Sequence, residues 1–131
     1  MPKLLLIAMA LVEVGTGVAL LIAPSRIVEL LLGEGLSSPQ ALILARFTGA
    51  ALTSIGVACW LTSKGEASGH RGLVGGMLIY NLAVPLLLIH AAIVLGLHGI
   101  VLWPASVLHV GFAIWCMICL PWREYRGPGS M

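Results

Sequence analysis

The chain has 131 residues, of which 60% are hydrophobic and only 9% are charged, and it contains no aspartate. Since a typical soluble domain is about 25% charged, this composition excludes a water-soluble globule. The formal net charge of +2, with no basic run interleaved with aromatic residues, argues against nucleic acid as a partner. At this length we expect one domain, residues 1–131.

Four apolar stretches are each long enough to cross a bilayer as a helix, which takes about 20 residues. We expect these spans at about residues 4–23, 40–62, 72–97 and 100–120. The first apolar run is longer than the h-region of a secretory signal, about 7–15 residues, so we interpret it as an uncleaved span. The predicted fold class is therefore an all-α integral membrane protein, a four-helix transmembrane bundle with up-down-up-down topology.

The connector between the first two spans, residues 25–39, has structure of its own. Ser25 is a candidate cap for a short helix that is apolar around Arg26 and Glu29 and that Gly33 would end. We expect this helix to lie flat on the outer face of the membrane that the bundle spans, either as a simple cover for the mouth of the bundle or as a ligand gate. At the other end of the chain, residues 123–131 are a small, mostly polar tail that we expect to be mobile.

Basic residues are distributed unevenly between the two sides of the bundle. Four spans place the N-terminus, the 63–71 loop and the C-terminal tail on one side, together with five of the basic residues, and they leave only Arg26 on the other. The positive-inside rule then predicts that both termini are cytoplasmic. We expect a multi-pass protein of the bacterial inner membrane with the lipid bilayer as its surroundings.

Each predicted span carries one ionisable residue that lipid disfavours: Glu13, Arg46, His90 and His109. A charge at mid-bilayer costs roughly 2.5–3.5 kcal/mol on insertion scales, so such residues usually face a bundle interior. Small residues at helical spacing beside Glu13, Arg46 and His109 also indicate inward faces. A Glu13–Arg46 ion pair is the simplest way to satisfy both charges, and it could be a structural staple or part of a binding site.

Two further polar residues belong to the predicted ligand-binding set. Thr16 lies one helical turn from Glu13. Pro85 cannot donate a hydrogen bond to the carbonyl of Asn81, and such freed carbonyls line binding sites in transporters. Asn81 and His90 are nine residues apart and should point to opposite sides of their helix. The candidate site residues are thus Glu13, Arg46, His90, His109, Thr16 and Asn81.

Cysteine and histidine side chains are further candidates for redox or cofactor-binding sites. Cys116 and Cys119 form a CxxC pair near Cys59, but a position inside a membrane helix favours buried free thiols over redox chemistry. His90 and His109, at similar predicted depth, could be axial ligands of a b-type haem, whereas His70 and His98 are most simply solvated. We expect no metal site and, apart from this haem alternative, no cofactor.

Two short segments resemble known families. The string Leu11-Val12-Glu13-Val14-Gly15-Thr16-Gly17 resembles the first helix of small multidrug resistance transporters, in which an embedded glutamate binds protons and cationic drugs in competition. The string Arg46-Phe47-Thr48-Gly49-Ala50-Ala51-Leu52, with Gly56 and Trp60, resembles the second helix of DoxX-like four-helix bacterial membrane proteins. The first resemblance implies a ligand role for Glu13, and the second implies architecture alone.

The favoured function is non-enzymatic: an intramembrane polar site in the outer half of the bundle that binds or transports a proton, an ion or a small polar molecule. One alternative is an accessory redox subunit that holds haem or quinone through His90 and His109. The other alternative is a structural subunit of a larger membrane complex. The sequence is also compatible with a homodimer.

Overall fold

In the computed structural model, which describes residues 2–65 and 67–120 without the side chains of 67–69, the described chain forms five α-helices and no strand. Four helices are long and apolar enough to cross a membrane: α1 Pro2–Ile22, α3 Pro39–Lys64, α4 Ala67–Ile93 and α5 Leu102–Cys119. The short helix α2 spans Pro24–Leu32. The all-helical prediction with four long apolar helices is confirmed, while the predicted tail 123–131 lies outside the described residues.

The predicted third span is too long at its C-terminal side. It was expected to reach residue 97, but α4 ends at Ile93, and Gly96 adopts a left-handed backbone conformation with φ of 69°. Hydropathy overextends the span because Leu95 and Leu97 remain apolar beyond the end of the helix. Pro85 lies inside α4 without ending it.

Helix α2 begins two residues earlier than the capping pattern predicts, with residue 23 instead of Ser25 at the N-cap position. Pro24 occupies its first turn, and the Ser25 hydroxyl does not cap the helix. That hydroxyl instead accepts a hydrogen bond from the Leu36 N–H (2.9 Å) and donates one to the Leu36 carbonyl (3.2 Å). The predicted stop at Gly33 is confirmed, because Gly33 has φ of 87° and its N–H donates to the Glu29 carbonyl.

The long helices pack as two antiparallel pairs, α1 with α3 and α4 with α5. Helices α1 and α3 approach until their backbones touch: a Cβ atom on Gly49 would lie 2.7 Å from the Gly17 carbonyl oxygen, and one on Gly56 would lie 2.8 Å from the Val14 nitrogen. Small residues allow such contacts between membrane helices. These glycines therefore set the register of α1 against α3.

The two pairs meet in an apolar core at the end of the bundle opposite α2, around Leu5, Met9 and Phe112. Helix α2 lies across the other end, where it contacts α1, α3 and α5. Its last turn is attached to the α4–α5 connection, because the Val101 N–H donates to the Leu30 carbonyl (3.0 Å). Between the core and α2 the pairs separate, and this gap is the candidate site.

Candidate ligand-binding site

A cavity of about 690 Å³ lies between the helix pairs, directly beneath α2. The apolar residues Ile27, Val28, Leu30 and Leu31 of α2 form its roof. Along α1 the lining runs from Leu20 to Val12, which is about 12 Å of helix. Its volume falls within the range of about 300–1,000 Å³ that is usual for small-molecule sites.

The lining is predominantly apolar, and its polar side chains are Thr16, Thr48, Tyr80 and His109. Tyr80 and His109 lie at the inner end, away from α2. Tyr80 is the first lining residue of α4, which runs toward α2, and His109 is the last lining residue of α5, which runs away from it. Their rings meet edge to face, with centroids 5.5 Å apart and an interplanar angle of 82°. The cavity therefore has an apolar body and a polar inner end.

Glu13 lies behind Tyr80 and does not itself line the cavity. It is only 2% exposed, and its Oε2 accepts a hydrogen bond from the Tyr80 hydroxyl at 3.3 Å. Its other oxygen, Oε1, is buried with no hydrogen-bond partner among the described residues. Glu13 thus orients the Tyr80 hydroxyl and keeps one free acceptor inside the bundle.

Asn81 and His109 form a buried pair across α4 and α5. The distance from His109 Nδ1 to Asn81 Oδ1 is 2.7 Å, and Asn81 Nδ2 donates to the Met77 carbonyl at 2.8 Å. Asn81 is fully buried, and His109 is 9% exposed. The predicted inward face of His109 is confirmed, and Asn81 holds the histidine in place from outside the cavity lining.

The predicted Glu13–Arg46 ion pair is wrong. Arg46 is exposed on α3, and its Nε donates to the Leu21 carbonyl at 3.4 Å. Leu21 lies eight residues, or about 12 Å, from Glu13 along α1. The glycine contacts between α1 and α3 fix this register, so Arg46 reaches the α2 end of the bundle, and Glu13 has no cationic partner among the described residues.

His90 does not join the site either. It is exposed on α4, about one turn from the end of that helix, and it is not part of the cavity lining. The histidine pair that the haem alternative requires is therefore not assembled, since His109 faces the bundle interior and His90 faces outward. Thr16, by contrast, lines the cavity as a member of the predicted set.

His70 and the cysteines lie at the opposite end of the bundle. The predicted solvation of His70 is wrong: the side chain is 4% exposed, and its Nε2 bonds to the Thr62 carbonyl of α3 at 2.9 Å. Cys59 and Cys116 are buried free thiols in the same apolar core. No group of three or more His, Cys, Asp or Glu side chains suited to a metal ion is found in residues 2–65 and 67–120.

Sequence reasoning missed Tyr80, which joins Glu13 to the cavity. One signal could have pointed to it: tyrosine in membrane helices is enriched near the interfaces, yet Tyr80 lies near the middle of α4. A mid-span hydroxyl requires a partner inside the bundle, and here that partner is Glu13.

The chain matches no protein-family model, no curated protein and no solved structure. The likenesses of its first two long helices to small multidrug resistance transporters and to DoxX-like proteins remain resemblances of short segments.

Proposed function

We propose that this protein is a multi-pass membrane protein that binds one small, mainly apolar molecule in the cavity beneath α2, without catalysing a reaction on it. The observation that carries the proposal is the cavity itself, about 690 Å³ in volume and lined chiefly by aliphatic side chains. Unoccupied apolar space of this size forfeits the dispersion contacts of its lining. A bound apolar molecule would restore those contacts.

The polar inner end favours a molecule with one polar group over a plain hydrocarbon. Tyr80 and His109 lie together at that end, whereas the roof contributed by α2 is aliphatic. Sites for small molecules commonly combine an apolar lining with a few placed polar groups that fix orientation. The arrangement supports a ligand whose apolar body lies under α2 and whose polar end reaches Tyr80 and His109.

This proposal replaces the ligand expected from the sequence, a proton, an ion or a small polar molecule, with a mainly apolar one. A proton, an inorganic ion or a small polar molecule would leave most of the aliphatic lining without a matching surface. If the positive-inside prediction holds, α2 and the mouth of the cavity lie at the outer face of the inner membrane, and the ligand enters from that leaflet.

Filling the cavity provides the test. Gly15 lines it, and a Cβ atom there would meet nothing within 4 Å, so Gly15→Leu can extend into the cavity without a clash at its root. Gly111→Leu is the matched control, because Gly111 has the same open surroundings but lies outside the lining. The measurement is mass spectrometry of apolar molecules that co-purify with the protein in mild detergent.

We expect the natural chain and Gly111→Leu to retain about one molecule per chain, and Gly15→Leu to lose it while eluting as the same folded species. Equal retention by Gly15→Leu would place the molecule elsewhere on the surface. An absence of any retained molecule from all three, together with no uptake of added apolar probes, would contradict the proposal and favour a structural subunit.

A further inference from the structure

The hydrogen bonds behind the cavity determine which nitrogen of His109 carries its hydrogen. Asn81 has its amide orientation fixed, because only Nδ2 can donate to the Met77 carbonyl, 2.8 Å away. Oδ1 of Asn81 therefore faces His109, and an amide oxygen can only accept. It follows that Nδ1 of His109 is protonated.

In the neutral ring, Nε2 of His109 is then a hydrogen-bond acceptor. Within residues 2–65 and 67–120, Nε2 of His109 has no hydrogen-bond partner. The buried side-chain polar atoms without a partner in those residues are Glu13 Oε1 and His70 Nδ1, so Nε2 of His109 is accessible. Nδ1 faces Asn81, which lies outside the cavity lining, while the His109 ring is part of the lining. The accessible polar atom of this ring is thus an acceptor.

The hydroxyl groups of two other lining residues also donate their hydrogens to acceptors within the protein. The Tyr80 hydroxyl donates to Glu13, and the Thr48 hydroxyl donates to the Leu44 carbonyl at 3.0 Å, so both oxygens keep only acceptor capacity. Thr16 is the remaining polar side chain of the lining and can still donate or accept. The inner end, formed by Tyr80 and His109, therefore offers hydrogen-bond acceptors, and the ligand must supply the donor.

We propose that the ligand of this cavity is an alcohol or a phenol, an apolar molecule whose hydroxyl group donates a hydrogen bond to Nε2 of His109. This inference rests on the proposed function and adds the chemical class of the ligand to it. A ligand whose polar end has only acceptors, such as an ether or an ester, would face the acceptors of Tyr80 and His109 and leave Nε2 unsatisfied on binding.

A pair of probes that differ in one hydrogen-bond donor tests the class. The probes are the fifteen-carbon alcohol farnesol and its methyl ether, and the affinity of each is measured by competition with radiolabelled farnesol for the protein in lipid nanodiscs. We expect farnesol to bind about fivefold more tightly than the ether, as the net gain from one hydrogen bond implies.

Two variants show whether His109 is responsible. His109→Phe keeps a flat ring but removes the acceptor, and it should bring the two affinities within about twofold of each other. His90→Phe is the matched control, because His90 is an exposed histidine outside the cavity, and it should keep the full preference.

Equal affinities of the natural chain for the two probes, in binding that Gly15→Leu abolishes, would overturn the ligand class and leave the proposed function intact. Failure of both probes to bind would overturn the class, and it would overturn the function as well if no apolar molecule co-purifies with the natural chain. Nitrogen-15 NMR of the natural chain adds a test that needs no variant, with the His109 signal assigned through its contact with the Tyr80 ring. The result must be a protonated Nδ1, and a protonated Nε2 would overturn the inference.

Discussion

Glu13 of α1 and Arg46 of α3 are an acidic and a basic residue in neighbouring helices, yet each has a different partner. Glu13 accepts from Tyr80, and Arg46 donates to the Leu21 carbonyl. Among the described residues the one salt bridge joins Arg26 to Glu29 at 3.2 Å, on the exposed surface of α2. Because about 12 Å of α1 separates Glu13 from Leu21, the two side chains should contribute independently to stability.

A double-mutant cycle tests this independence. We expect the effects of Glu13→Gln and Arg46→Met on the free energy of unfolding to add within about 0.5 kcal/mol, since the two sites share no partner. The measurement is reversible unfolding by SDS in mixed micelles. Recovery of most of the single-variant losses in the double variant would instead indicate an ion pair, in which removal of one charge strands the other.

At the scale of the element, the contact between α1 and α3 depends on the absence of side chains at three glycines. A Cβ atom on Gly49 would lie 2.7 Å from the Gly17 carbonyl oxygen and 3.0 Å from the Leu20 Cβ. The atom nearest to this Cβ belongs to the backbone and cannot move aside as the end of a flexible side chain could, so the two helices would have to separate. This contact also determines that Arg46 lies beside Leu21 and not beside Glu13.

We therefore expect Gly49→Ala to lower the free energy of unfolding by about 1–3 kcal/mol, the usual cost of overpacking a tight interface. Gly111→Ala is the control in an equally helical position with open surroundings. It should be neutral or stabilising by about 0.5–1 kcal/mol, because alanine has the better helix propensity. The same SDS unfolding measurement applies, and equal effects of the two substitutions would contradict the account of the interface.

At the scale of the whole molecule, hydropathy predicted the number and approximate bounds of the long helices because length and composition alone decide which segments can span a bilayer. It could not predict how each helix is rotated and aligned against its neighbours. That arrangement follows from contacts such as Gly17 with Gly49, whose two residues are distant in sequence. The inward placement of Glu13 and His109 was thus predictable from their own helices, whereas the position of Arg46 and the role of Tyr80 were not.

The same reasoning applies to α2, whose existence was predicted and whose attachment was not. Gly99 lies so close to the backbone of Leu30 and Leu31 that a Cβ atom there would collide with it, and the neighbouring Val101 N–H donates to the Leu30 carbonyl. This attachment holds α2 to the α4–α5 pair, while Pro24 and residue 23 connect it directly to α1. Helix α2 therefore joins the two helix pairs across the mouth of the cavity.

Gly99→Val should detach α2 and open the cavity at that end. Overpacking of about 1–3 kcal/mol at this contact would raise the exchange rates of the backbone amides of residues 25–32 by about 5- to 100-fold, since each 1.4 kcal/mol is a factor of ten in the opening equilibrium. Hydrogen–deuterium exchange with mass spectrometry measures this in nanodiscs, with the amides of α1 and α3 near Gly17 as an internal reference. Gly111→Val, in open surroundings, should leave the exchange of α2 unchanged. Equal protection of α2 in both variants would mean that its aliphatic face on the cavity, rather than the contact with Gly99, holds the roof in place.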